Sequence, residues 1–134
     1  MKSRRLPQGD HWRLRENRLT TNAIARLLTE IVAGQAVSAQ PYPELLELLK
    51  RHPSPGSGEK NDQAHACTAP TLPPGSKLWS NARSTGECRH DATYLELPNG
   101  AKFVLVTCTM DHANEREFIP AVAKAVVEEF TARE

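Results

Sequence analysis

A change of hydrophobic period near residue 77 constrains this chain more than any other feature. Before it, apolar residues recur at helical spacing; after it, they come in short runs bounded by turn residues. Pro98-Asn99-Gly100 separates two such runs, Ala92 to Leu97 and Lys102 to Thr109. An Asn-Gly pair accepts the positive φ angles of a tight turn, so the runs are predicted to be the two arms of an antiparallel hairpin. Lys77 to Asn81 supplies a third short strand. Phe103-Val104-Leu105-Val106 is apolar on both alternations, which predicts a central strand covered on both faces.

The helical part begins at Thr20, Thr21 or Asn22, any of which can cap a first turn with its side-chain oxygen. Ile24, Leu27, Leu28, Ile31 and Val32 then form one apolar stripe, and Gly34 stands where a left-handed C-terminal cap is expected. A second helix is predicted from Pro43 to Arg51, with Leu45, Leu46, Leu48 and Leu49 as its buried stripe. His52 to Ser76 reads as a long loop rich in Pro and Gly, the least ordered interior segment. A last helix is predicted over 115–131, with Phe118, Val122, Val126 and Phe130 facing inward. Asn114 and Glu117 have the spacing of a capping box, and Pro120 predicts that the regular helix starts or kinks near it. The order predicts an α+β fold, an antiparallel sheet with the C-terminal helix packed on it. With aromatics at only 5%, its core has to rest on Leu, Val, Ile and Ala.

Seventeen basic against sixteen acidic residues leave no basic excess, which argues against a dedicated nucleic-acid binder. The basic residues do gather in an irregular arm over 1–18, where Lys2, Arg4, Arg5, Arg13, Arg15 and Arg18 face only Asp10 and Glu16. That arm reads as a solvated terminus, or as a contact for an anionic partner. Three cysteines, Cys67, Cys88 and Cys108, are too few for a disulfide scaffold. No apolar run approaches a membrane span, and Arg4-Arg5 is followed by polar residues where a signal peptide would be apolar. No compartment follows from the sequence.

Several constellations offer chemistry. His65-Ala66-Cys67 and Cys88-Arg89-His90 contain four potential zinc ligands, since alternate residues of a strand share a face. Their spacing is not that of a structural zinc site, so a small zinc-binding protein is the lesser reading, and no metal or cofactor is expected. One Ser-x-x-Lys occurs, Ser57-Gly58-Glu59-Lys60, but no apolar helix follows to bring Ser and Lys onto one buried face. It reads as coincidence.

Several segments resemble, in order and wording, the C-terminal half of the class A β-lactamases and penicillin-recognising serine hydrolases. Asn17 to Leu28 is similar to that family's exit from the omega loop into the next helix, and Gly34 to Ser38 to the turn that closes it. Lys77 to Arg83 sits in the place of the active-site strand. Arg89-His90-Asp91-Ala92, Leu97-Pro98-Asn99-Gly100 and Phe103 to Val106 resemble the next two strands, and Asn114 to Glu117 the entry to the last helix. The resemblance runs over about 17–131 and implies a partial domain over 19–134, with the N-terminal half missing.

It also implies a reaction: opening of a β-lactam or D-alanyl peptide amide through an acyl-serine. That chemistry draws on Ser-x-x-Lys, Ser-Asp-Asn, an omega-loop Glu and a strand Lys-Thr/Ser-Gly. Here the strand reads Asn81-Ala82-Arg83, and no Glu stands at the omega-loop place, Glu16 being too close to the Thr pair. No catalytic residue can be named. What remains is a substrate-side remnant: Asn81, Arg83, the backbone N–H at Ser84 as an oxyanion donor, and Arg89 as a carboxylate fork facing the place of the lost Lys. The alternative for Arg89 is a surface pair with Glu87 or Asp91. The resemblance implies a β-lactam or peptidoglycan-like ligand and a periplasmic or secreted relative. The expectation is an inactive fragment of a serine hydrolase, marginal alone, and self-associating or dependent on the missing half. The rival is a non-catalytic binding module that uses the arm and Arg89.

Overall fold

A computed structural model of the chain describes residues 20–36, 42–53 and 67–133. The basic arm over 1–18, Ser57 to Lys60, His65 and much of the 52–76 loop lie outside the described residues. The elements are α1 (Thr21–Val32), α2 (Tyr42–Leu49), β1 (Lys50–Arg51), a 3-10 turn (Ala69–Thr71), β2 (Lys77–Ser84), β3 (Cys88–Glu96), β4 (Lys102–Met110) and α3 (Phe118–Thr131). The four strands form one antiparallel sheet in the order β1-β2-β3-β4.

Local chemistry sets α1. Thr20 Oγ1 accepts from the Ala23 N–H at 3.1 Å. At the other end Gly34 takes φ 74°. There the Gly34 N–H donates to the Ile31 carbonyl at 3.1 Å and the Gln35 N–H to the Glu30 carbonyl at 2.7 Å, the double bond of a Schellman cap. The second helix stops at Leu49, short of the expected Arg51, because Lys50 and Arg51 pair with Trp79 and Leu78 as β1. Leu48, expected to be buried, is 72% exposed.

Each hairpin has its own turn chemistry. At the β2–β3 corner, Thr85 Oγ1 accepts from the N–H groups of Glu87 and Cys88, and the Thr85 N–H donates to the Cys88 carbonyl at 2.8 Å. This turn lengthens β2 and β3 beyond the sequence expectation, because Ala82 to Ser84 lack apolar alternation and are strand only through pairing with Arg89 to Asp91. At the β3–β4 corner only Gly100 has positive φ, at 89°. The Gly100 N–H donates to the Leu97 carbonyl and the Leu97 N–H to the Ala101 carbonyl. The connection is therefore a one-turn loop closed by a glycine bulge, in place of the two-residue Asn-Gly turn. Asn99 locks it from outside by donating to the Phe130 carbonyl at 3.1 Å.

The core lies between the sheet and α3. Leu78, Leu95 and Leu97 meet Ala69 and Val127, with Leu72, Phe103 and Phe130 packed at the margin. Phe103 and Phe130 stack with ring centres 4.1 Å apart. On α3 the buried row is Ile119, Ala123 and Val127. This corrects the expected row of Phe118, Val122, Val126 and Phe130 in part: Phe118 leaves the core, Val122 and Val126 are half-buried beside the row, and Phe130 does pack inward on Phe103. Phe118 is 41% exposed and stacks on His112 outside the core. The Asn114–Glu117 capping box does not form: Glu117 is itself the N-cap and makes no side-chain cap bond. Pro120 falls in the first turn, where its missing N–H has no helical partner to lose.

The central-strand expectation for β4 is also corrected. Among the described residues it lies at one edge of the sheet, and Phe103 to Val106 are half-buried. The inward row of β3, Asp91, Thr93 and Leu95, is buried, as is Leu97 just beyond it. Alpha-helix α1 lies against β3 and β4, and α2 against β2.

The α3 register gives a direct check. Ile119→Ala should lower unfolding stability by about 2–4 kcal/mol, the usual range for emptying a fully buried aliphatic site. Phe118→Ala should cost less than about 1 kcal/mol. Chemical denaturation of the two variants measures both, and the reverse order would contradict the observed register.

Candidate functional site

Asn81 and Arg83 project from the same face of β2, opposite Ala92 and His90 of β3, and both are exposed. Beyond Trp79 the outer edge of β2 has no strand partner among the described residues, since β1 pairs only with Trp79 and Leu78. The bond from the Thr85 N–H to the Cys88 carbonyl sets the alternation of the β2–β3 ladder. It leaves the N–H of Ser84 pointing out of the sheet edge. The backbone donor singled out in the sequence is thus turned away from β3, on an exposed residue beside Arg83.

Arg89 does not join this group. It is paired with Ser84, so its side chain leaves the sheet on the face opposite Asn81 and Arg83. Its guanidinium donates from Nε at 3.2 Å and from Nη2 at 2.9 Å to the Ala113 carbonyl. Both the expected carboxylate fork toward Asn81 and the alternative pairing with Glu87 or Asp91 give way to this clamp on the β4–α3 connection.

Asp91 is the feature that sequence reading passed over. Its carboxylate is 2% exposed on the inward face of β3. Oδ2 accepts from the Thr68 N–H at 3.2 Å and from Thr68 Oγ1 at 2.5 Å. Oδ1 and the nearby Ser80 Oγ are buried with no hydrogen-bond partner among the described residues. Burial pushes the Asp91 carboxyl up from 3.8 to about 6, against the lowering effect of the two Thr68 bonds. The signal was available: residues 91, 93, 95 and 97 share one face, and an acid in that row has to be buried.

Cys88, His90 and Cys108 lie on the outer face, with His90 opposite Cys108. Burial and the neighbouring Cys88 raise the Cys108 thiol above its usual range. No three His, Cys, Asp or Glu side chains converge as a metal site among the described residues. Thr68 ties the segment carrying Cys67 to Asp91, on the face opposite Cys88 and His90. At the far end of the outer face, the Tyr94 hydroxyl donates to Glu96, which Lys77 and Lys102 flank at 3.6 Å each. Those contacts hold Glu96 below the usual carboxylate range, the Tyr94 bond first.

An antiparallel sheet with an open edge strand, a C-terminal helix behind it and an Asn-Gly hairpin is the arrangement the family resemblance implied. The family described as Beta-lactamase enzyme family matches residues 2–130. This chain belongs to that family. Among solved structures it is similar to "Structure of PBP-A", with TM-score 0.64 and 19% identity over 87% of this chain and 44% of that one. It is similar also to a PBP-A mutant described as an acyl-enzyme complex with penicillin G, with TM-score 0.65 and 19% identity over 82% of this chain and 39% of that one. The chain thus spans less than half the length of either. No curated protein matches it. No helix among the described residues is long and apolar enough to cross a membrane.

The Asp91 pair makes a prediction with a definite sign. Its folded pKa lies above the unfolded value, so the folded state binds the extra proton between about pH 4 and 6. The Asp91 contribution is therefore fully present below pH 4 and is lost as pH rises through about 6, a difference of up to about 3 kcal/mol. Asp91→Asn keeps an acceptor for Thr68 and should flatten the stability profile between pH 5 and 8 without loss at pH 8. Asp91→Ala strands the Thr68 donors and should cost about 1–3 kcal/mol. Thermal melts across that pH range read both effects.

Proposed function

We propose that this chain carries the substrate-binding strand of a β-lactamase-type serine hydrolase, and binds a β-lactam or D-alanyl peptide without acylating it. The observation that carries the reading is the outer edge of β2 beyond Trp79, unpaired among the described residues, where the Ser84 N–H points outward next to exposed Asn81 and Arg83. An extended amide or lactam lying along that edge meets a backbone donor aimed at its carbonyl oxygen. Arg83 adds a fixed positive charge for the ligand carboxylate, where Asn81 has none to give. The family match and the likeness to a penicillin acyl-enzyme complex support the choice of ligand class.

The residue types of the strand do not support turnover. Asn81-Ala82-Arg83 replaces Lys-Thr/Ser-Gly, and Arg83 crowds the strand where glycine would let substrate close in. Ser57-Gly58-Glu59-Lys60 has no helix-forming context to activate its serine.

Nitrocefin hydrolysis, labelled-penicillin acylation and benzylpenicillin calorimetry test the proposal together. The expected result is no hydrolysis, no adduct, and non-covalent binding that weakens severalfold with Arg83→Ala. Arg89→Ala should leave binding unchanged while lowering stability by about 1–2 kcal/mol through loss of the Ala113 clamp. A stoichiometric acyl adduct would refute the non-catalytic reading, and absence of any binding would refute the substrate-side reading.

A further inference from the structure

One side chain fastens the β3–β4 corner to the far end of α3. Asn99 Nδ2 donates to the Phe130 carbonyl at 3.1 Å, and Asn99 Oδ1 accepts from the Ala101 N–H at 3.1 Å. The two partners fix which end of the amide faces which way, since a carbonyl needs a donor and an N–H an acceptor. The Phe130 carbonyl lies in the last turn of α3, where helical donors run out. No basic residue stands in that turn, and Arg133, just beyond it, is paired with Glu129 at 3.2 Å. The Phe130 ring stacks on Phe103, so the Asn99 bond and that stack hold the same helix end to the same hairpin.

The residue after Asn99 makes this fastening chemically fragile. Of the six asparagines in the chain, only Asn99 is followed by glycine. A side chain on the following residue hinders the approach of its backbone nitrogen to the asparagine amide, and Gly100 has none. Both residues are exposed, and beyond its chain neighbours nothing lies within 4 Å of where a Gly100 Cβ would stand.

We propose that Asn99 is a site of spontaneous deamidation, held off by its tether to α3, and that its conversion to an acid unfastens the last turn of that helix. The Gly100 nitrogen gives up its proton and attacks the Asn99 side-chain carbonyl carbon. The new C–N bond closes a succinimide, the bond to Nδ2 breaks, and ammonia leaves with the proton. Water then opens the ring at either carbonyl, giving aspartate or isoaspartate. In the folded chain both reacting groups are engaged: Nδ2 with Phe130, and the Gly100 N–H with the Leu97 carbonyl at 3.0 Å. The reaction therefore runs from the fraction of molecules in which the corner and the end of α3 have parted.

The products cannot remake the tether. Aspartate keeps an acceptor for the Ala101 N–H, but it sets an anionic oxygen where Nδ2 faced the Phe130 carbonyl. That place is the negative end of the helix dipole. Isoaspartate also lengthens the main chain by one methylene and displaces the Gly100 N–H from Leu97. The corner lies at the opposite end of β3 from Ser84, so the change is remote from the candidate binding edge.

Ageing the full chain in mildly alkaline buffer tests this, with peptide mass mapping that separates aspartate from isoaspartate. In denaturant, Asn99 should convert ahead of the other five asparagines. In the folded chain its conversion should be severalfold slower. Phe130→Ala removes the stack on Phe103 but keeps the carbonyl, and should recover part of the lost speed. The converted chain, purified, should lose amide protection over Glu129 to Ala132 and the Phe103–Phe130 ring contact in NMR spectra, with the Leu28 amide unchanged. Asn99→Asp should reproduce that loss without isoaspartate. Equal rates in folded and denatured chain would overturn the tether, and so would full protection of the α3 end in the aspartate form. Conversion of another asparagine ahead of Asn99 in denaturant would overturn the site itself. If Phe130→Ala does not fold, the folded-against-denatured rates and the Asn99→Asp spectra decide.

Discussion

The bond between Asp91 and Thr68 is the contact on which the rest of this structure depends. It joins the segment entering the 3-10 turn to the inward face of β3. That segment carries Ala69 and Leu72 into the core beside Leu78, Leu95 and Val127. The bond links the segment entering the 3-10 turn to the sheet, and α3 packs against that turn. The carboxylate is also expensive where it stands. It sits on the inward face of β3 between Arg89 and Thr93, and two donors from Thr68 only partly offset its desolvation. A buried acid with one oxygen unpaired is a feature a fold tolerates when the connection it makes cannot be made by an apolar side chain.

From that anchor the geometry of the candidate site follows. Fixing β3 fixes β2 through an unbroken register from Lys77 to Ser84. The register decides which side chains leave which face, and it places Asn81 and Arg83 together while sending Arg89 to the other side. The Thr85 turn then decides which backbone groups look outward. A side-chain motif weakened at the level of sequence can thus coexist with backbone geometry that is kept, because the backbone geometry depends on hydrogen-bond alternation and not on the identity of residues 81 to 83. This separation is what lets a chain of the Beta-lactamase enzyme family keep the outward Ser84 N–H, on which the proposed binding edge rests, while its strand reads Asn-Ala-Arg.

The parts legible in the sequence are those fixed locally. The first helix is written in one stripe, one capping Thr and one Gly, all between Thr20 and Gly34, and the hairpin corner is written in Pro98-Asn99-Gly100. The α+β order and the pairing of the two hairpin arms followed from those signals. What was not legible depends on distant partners. Both Phe118-Val122-Val126-Phe130 and Ile119-Ala123-Val127 are apolar rows, and only packing against the sheet buries the second fully while keeping Phe130 of the first at its margin. Strand β4 looks central because both alternations are apolar, but strand order is a property of the whole sheet. The Arg89 clamp needed the position of Ala113, twenty-four residues away. Asp91 was legible in principle, from the parity it shares with Leu95 and Leu97.

The account turns on an Asp91 carboxylate that is buried, held on one side by Thr68 and titrating far from its ordinary range. Its carboxyl carbon can be followed directly by NMR as pH is changed. The structure predicts a midpoint near pH 6, moved by Thr68→Val, which removes the hydroxyl donor and so should raise it further. A midpoint near 4, unchanged in the Thr68 variant, would mean that Asp91 is solvated and that the segment from Cys67 to Leu72 is not fastened to the sheet as described.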